Sequence, residues 1–223
     1  MLAAQGLAVR RKAQLLAEPA GPRAGRAGSG PALRLLIAGD SAAAGVGVDS
    51  QDLALCGQLV SRLAQTFTVD WRVEATTGHT TSDTLARLRA LPDRFDVVVT
   101  SLGVNDTTRA IPARRFAARQ AALMDLLTGP LAARLVVVTS VPDMALFPAL
   151  PHPLSWVLGQ QSQRLDRSLA NMLKRYPQAV HHRPHIPPDP AMAARDGYHP
   201  SALAYAHWAE GLARVIQAQA RRI

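Results

Sequence analysis

One cysteine, Cys56, is all the thiol chemistry in this chain of 223 residues. A single thiol excludes an internal disulfide and any multi-cysteine metal site. Its apolar neighbours in an expected helix make it a packing residue, and the chain fits a reducing compartment. Aromatic residues are scarce at 4%, which leaves few platforms on which bases could stack. No apolar run approaches the roughly 20 residues needed to span a bilayer, so no integral membrane contact is expected. Acidic side chains are outnumbered, 16 against 25 Lys and Arg, for a formal charge of +9. Such an excess invites a nucleic-acid or anionic partner, but its distribution argues otherwise. In the first thirty residues Arg10, Arg11, Lys12, Arg23 and Arg26 stand against Glu18 alone, which is +4 of the +9. Arg87, Arg89, Arg94, Arg114, Arg115 and Arg119 fall in helical patterns, where a solvated basic face is ordinary. No nucleic-acid partner is expected.

A cleavable secretion signal is also missing from the pattern. Such a signal sets positive charge before an unbroken apolar run of roughly 7 to 15 residues. Here Arg10, Arg11 and Lys12 follow a short apolar start interrupted by Gln5 and Gly6. The expectation is a cytoplasmic protein, with peripheral attachment to a membrane surface left open. From Glu18 to Pro31 the density of Gly and Pro argues against helix or strand. Residues 1–31 are therefore expected to form a basic, flexible arm, followed by one domain over 32–223. The composition, 48% hydrophobic and 18% charged, is that of a globular domain, and the length suffices for one core.

What the chain does have is a repeated alternation of short aliphatic runs and longer helical stretches. Strands are expected at 33–38, 68–74, 96–101 and 135–140, with a weaker one at 179–182. Helices are expected at about 52–65, 81–90, 112–127, 155–175 and 201–219. Continuous apolar strands between helices indicate an α/β fold, a parallel sheet covered on both faces. Ligands of such sheets sit beyond the carboxyl ends of the strands, where strand order reverses. Catalytic residues should therefore follow strands directly.

They do. Gly39-Asp40-Ser41 follows the first expected strand, a tight turn where a serine nucleophile gains exposure beside the N–H groups of a helix start. Asp40 or Ser41 could equally cap that turn. Thr76-Thr77-Gly78-His79-Thr80 follows the second strand and Gly103-Val104-Asn105-Asp106 the third. Read singly they are a helix cap and an Asx-type turn. Together, the Ser41 N–H, the Gly78 N–H and the Asn105 amide could supply donors to an oxyanion. Near the C-terminus stands Asp196-Gly197-Tyr198-His199-Pro200. An Asp three residues before a His can fold back on Nδ1 and leave Nε2 free to take a proton from Ser41.

These four blocks, in this order, resemble the SGNH hydrolases, also called GDSL lipases and esterases. The resemblance runs from about Leu33 to Ile216. It implies a three-layer, flavodoxin-like α/β/α sandwich around a five-stranded parallel sheet. It also implies that Ser41 is the nucleophile, His199 the base and Asp196 its orienter, with Ser41, Gly78 and Asn105 forming the oxyanion hole. Ala42, where the family often carries Leu, and Thr76-Thr77, where an Asn often stands, depart from the pattern without touching these groups. The activity implied is hydrolysis of small or lipid-like carboxylic esters without metal or cofactor; thioesterase and carbohydrate deacetylase chemistry use the same groups. A noncatalytic module binding phosphate at the Gly39–Gly47 loop is the rival from another class. That loop lacks the usual phosphate-binding glycine patterns, and such a module has no use for Asp196 and His199.

Asp40 and His79 flank the reacting groups and are pocket candidates. The Pro-rich, apolar loop 141–151 offers Met144, Leu146 and Phe147 as an acyl pocket or lid, against the plainer reading of a rigid connection. The run from His181 to His185 reads as a surface loop with no placed carboxylate partner, and no metal site is expected there. His207 and Trp208 are expected to pack on the final helix.

Overall fold

Val97–Ser101 and Leu135–Thr139 are β-branched almost throughout, and every residue in both is buried. Runs of this kind can only be covered on two sides, and the computed structural model has that layering. It describes residues 16–220 together with Gln5, Gly6, Val9 and Arg11. Six strands form one sheet: β1 (Ala24–Ala27), β2 (Ala32–Gly39), β3 (Thr68–Ala75), β4 (Val97–Ser101), β5 (Leu135–Thr139) and β6 (Ala179–His182). Their spatial order is β1-β3-β2-β4-β5-β6. All neighbours are parallel except β1, which runs antiparallel to β3. The chain moves outward from β2 to β3, then crosses back to place β4 on the other side of β2, so the order reverses between β2 and β4.

Alternation along the strands feeds two cores. Leu33, Leu35, Ile37, Val97, Val99 and Val137 face one layer, formed by α2 (Leu55–Leu63) and α7 (Ala202–Ala220). Leu36, Ala38, Val98, Val136 and Val138 face the other, formed by α3 (Thr81–Leu88), α5 (Ala113–Thr128) and α6 (Leu154–Leu173). Each fully buried aliphatic side chain contributes roughly 1.5 to 3 kcal/mol. Two short helices, α1 (Ser41–Ala44) and α4 (Val104–Thr108), follow β2 and β4 directly. Among the described residues no helix is long and apolar enough to cross a membrane.

The five expected strands and five long helices are present within a few residues of their expected bounds. The sheet, however, has a sixth strand, and it comes from the expected flexible arm. Pro22 and Pro31 bracket a stretch free of proline, and an edge strand tolerates glycine. Gly25 is there because a Cβ would stand 2.9 Å from the indole of Trp71 on β3. Arg26 reaches Asp70 at 3.5 Å, so this edge is short, charged and protected. Residues 1–15 of the expected arm lie largely outside the described residues.

Candidate active site

The two turns at the switch point carry the first groups. At Gly39 the backbone has φ +156°, and a Cβ would stand 2.1 Å from the Ser101 carbonyl of β4. Only glycine lets β2 turn so sharply beside its neighbour. Asp40 then caps α1, accepting the Ala42 N–H at 3.1 Å, and Ser41 opens the helix. Asp40 is 2% exposed, so it faces the interior and does not line a pocket as expected. Burial pushes its carboxyl up to about 7, with the nearby Asp106 carboxylate adding to the rise against the Ala42 hydrogen bond.

His199 arrives from the loop before α7. Asp196 Oδ1 accepts the N–H groups of Tyr198 and His199 at 3.0 and 3.1 Å, while Oδ2 meets His199 Nδ1 at 2.5 Å. Burial alone would raise the Asp196 carboxyl, but these three hydrogen bonds outweigh it and hold the group below the usual carboxylate range. An ionised carboxylate only accepts, so Nδ1 carries a proton toward Asp196 and Nε2 is the nitrogen turned to Ser41 Oγ. That separation is 2.9 Å, across 158 residues of sequence. The two loops are tied together from below: Tyr205 of α7 donates to the Val46 carbonyl at 2.7 Å.

Beyond Ser41 lie the third and fourth blocks. Gly78 adopts φ +83°, and a Cβ there would meet no atom within 4 Å, so it borders open space. Neither the Ser41 nor the Gly78 N–H meets an acceptor among the described residues. Asn105, in the first turn of α4, donates one Nδ2–H to the His79 carbonyl at 3.0 Å, which orients the amide and leaves its second N–H free. Arg109 donates to the Gly78 carbonyl at 3.0 Å. Asp106 Oδ2 accepts the N–H and hydroxyl of Thr81, both at 3.0 Å, locking α4 to the start of α3. Burial raises the Asp106 carboxyl in turn.

The pocket candidates separate. His79 is half-buried beside Gly78. Met144 is 3% exposed and Leu146 79%; a 3-10 turn at Met144–Leu146 sends one side chain inward and the other to solvent. Phe147 is half-buried. The loop they share touches the catalytic-edge loop, because Tyr198 donates to the Ala149 carbonyl at 3.2 Å. Two expectations about histidine need correction. His181 and His182 end β6 and are not a surface loop. His181 also has a carboxylate partner, Asp166 of α6, at 2.8 Å; it was missed because that partner lies on another element. Among the described residues no cluster of His, Cys, Asp or Glu could hold a metal ion. Trp208 packs near-parallel to Tyr205 in the core, whereas His207 is exposed. Two residues in contact with the site were not anticipated. Arg109 is one; Glu18 is the other, accepting from Thr77 N–H and Oγ at 2.8 and 2.9 Å.

Comparison with known proteins narrows what this arrangement is. The solved structure of TesA is 20% identical, with a TM-score of 0.66 over 83% of this chain and 98% of that one. The psychrotrophic esterase EstA from Pseudoalteromonas sp. is 18% identical, with a TM-score of 0.67 over 84% and 98%. The acetyl xylan esterase Axe2 from Geobacillus stearothermophilus is 19% identical, with a TM-score of 0.59 over 84% and 95%. At such identities the likeness speaks for the shared fold. No curated protein shows significant similarity to the chain. The chain is nonetheless a carboxylic ester hydrolase by class. The GDSL-like Lipase/Acylhydrolase family matches residues 37–207, more than three quarters of the length, and the chain belongs to that family.

Proposed function

We propose that the protein is a serine esterase in which Ser41, His199 and Asp196 form the catalytic triad and small or lipid-like carboxylic esters are the substrates. The observation that carries this reading is the unbroken chain from Asp196 Oδ2 through both ring nitrogens of His199 to Ser41 Oγ. His199 Nε2 takes the Ser41 proton as Oγ attacks the ester carbonyl carbon. The resulting oxyanion is met by the Ser41 N–H, the Gly78 N–H and the free N–H of Asn105. Collapse breaks the bond to the leaving alcohol, which takes the proton from His199. Water, deprotonated by His199, then attacks the acyl-enzyme and frees the acid and Ser41. We assign the acyl chain to Phe147 and Leu146, on the loop that Tyr198 joins through the Ala149 carbonyl.

The test is hydrolysis of p-nitrophenyl acetate, butyrate and octanoate by wild type and Ser41→Ala. Wild type should cleave at least one ester, and Ser41→Ala should lose on the order of 10⁴-fold or more, because triad members act as a unit. A mutant that keeps most of the activity overturns the reading.

A further inference from the structure

We propose that Glu18, on the segment leading into the edge strand β1, is a positioning residue that aims the Gly78 N–H at the reacting oxygen; this rests on the oxyanion-hole reading above. The Gly78 N–H belongs to the peptide joining Thr77 to Gly78. The peptide before it is held by Glu18 Oε1, which accepts both the N–H and the hydroxyl of Thr77 at 2.8 and 2.9 Å. The peptide after it is held by Arg109, at 3.0 Å from the Gly78 carbonyl. Between these two anchors stands a glycine at φ +83°, a residue with little preference of its own for one orientation. The His79 N–H on the Thr76 carbonyl and the Thr76 N–H on the Gly39 carbonyl, both at 3.2 Å, also close this turn, and Glu18 supplies the side-chain anchor on its N-terminal side.

Glu18 is itself fixed. Its Oε2 accepts from Arg23 at 2.8 Å, and Arg23 also donates to the Ala75 carbonyl at the end of β3. The Arg23 carbonyl accepts the Val73 N–H at 2.7 Å. Burial would raise the Glu18 carboxyl, but the hydrogen bonds from Thr77 and the charge of Arg23 outweigh it, so it stays an ionised acceptor. The same segment reaches the nucleophile side. A Cβ on Gly45, the residue that ends α1, would stand 2.9 Å from Pro19 Cγ, and the Gln51 N–H donates to the Ala20 carbonyl at 2.8 Å. Residues 18–23 thus lie as a strap at the carboxyl ends, from Pro19 beside the end of α1 to Glu18 and Arg23 at Thr77 and Ala75, before β1 runs down the edge of β3.

Small misplacements of a donor cost rate rather than ground-state binding. Glu18→Ala should lower kcat about tenfold with KM within about twofold, and should weaken binding of an alkyl boronic acid, which mimics the tetrahedral oxyanion on Ser41, by a similar factor. Thr77→Val, which leaves the Glu18 and Arg23 ion pair intact, should show the same split at about threefold, and the double variant should be no slower than Glu18→Ala. Thr77→Val carries the test if Glu18→Ala does not fold. Losses that simply multiply in the double variant, or kcat and boronate affinity unchanged in both single variants, overturn the inference while leaving the Ser41 mechanism standing. If Ser41→Ala retains hydrolysis, the underlying reading fails first, and the strap falls with it.

Discussion

Among the described residues two histidine–aspartate pairs contrast in geometry: one is turned to Ser41 and the other ties elements of the fold together. In the first, Asp196 and His199 are three residues apart on one loop, the carboxylate takes Nδ1, and Nε2 is turned to Ser41 at 2.9 Å. In the second, Asp166 of α6 takes Nε2 of His181 on β6 at 2.8 Å. That carboxylate also accepts the Val141 N–H at 3.0 Å and the Arg183 guanidinium at 2.9 Å. Burial would raise it, but His181 and the other donors hold it below the usual carboxylate range. Asp166 thus joins α6 to β6 and to the loop that follows β5. Each pair sets a buried carboxylate against a half-buried imidazole, and the two differ in which ring nitrogen the carboxylate takes.

The contrast can be broken at either pair. On the proposed triad, His199→Ala should reduce kcat on a p-nitrophenyl ester on the order of 10⁴-fold or more, and Asp196→Asn by a comparable factor through the wrong tautomer. Asn105→Ala, which removes one oxyanion donor but leaves the pair intact, should cost on the order of 10² to 10³ in kcat. At the brace, His181→Phe should leave kcat within about twofold and lower the unfolding free energy by about 2 kcal/mol, read by urea denaturation. A large kcat loss from His181→Phe would erase the distinction. The smallest effect concerns Asp40. Its folded carboxyl titrates near 7 against an ordinary value of 3.8, so the protonated form is favoured by folding. The associated stability is present below about pH 4 and is lost as pH rises through 7. Asp40→Asn should therefore melt about 5 °C above wild type at pH 8, with the gap closing toward pH 4; an equal gap at both pH values would contradict this origin.

The same contrast shows what a linear sequence carries. The Asp196 and His199 pairing was legible because three residues separate its members and a loop can close them. His181 looked partnerless because Asp166 reaches it only through the packing of α6 on β6. Runs such as Val97–Ser101 declare a buried strand by themselves, and three of the four blocks stand at the ends of β2, β3 and β4, while the fourth lies in the loop before α7. The edge strand β1 was hidden because Gly25 is explained by Trp71, which lies on β3. Glu18 was hidden for a similar reason, standing 59 positions before Thr77. Met144, Leu146 and Phe147 could be placed together on a loop by pattern, but only the 3-10 turn decides that Met144 points inward and Leu146 out.

The central claim, that Ser41 is the activated nucleophile, is tested most directly by treating the intact protein with a fluorophosphonate and locating the adduct by peptide mass spectrometry. The account predicts one phosphonyl group on Ser41 in wild type and none in Ser41→Ala, with labelling of His199→Ala strongly slowed. An adduct on another serine, or undiminished labelling of Ser41→Ala, would contradict it.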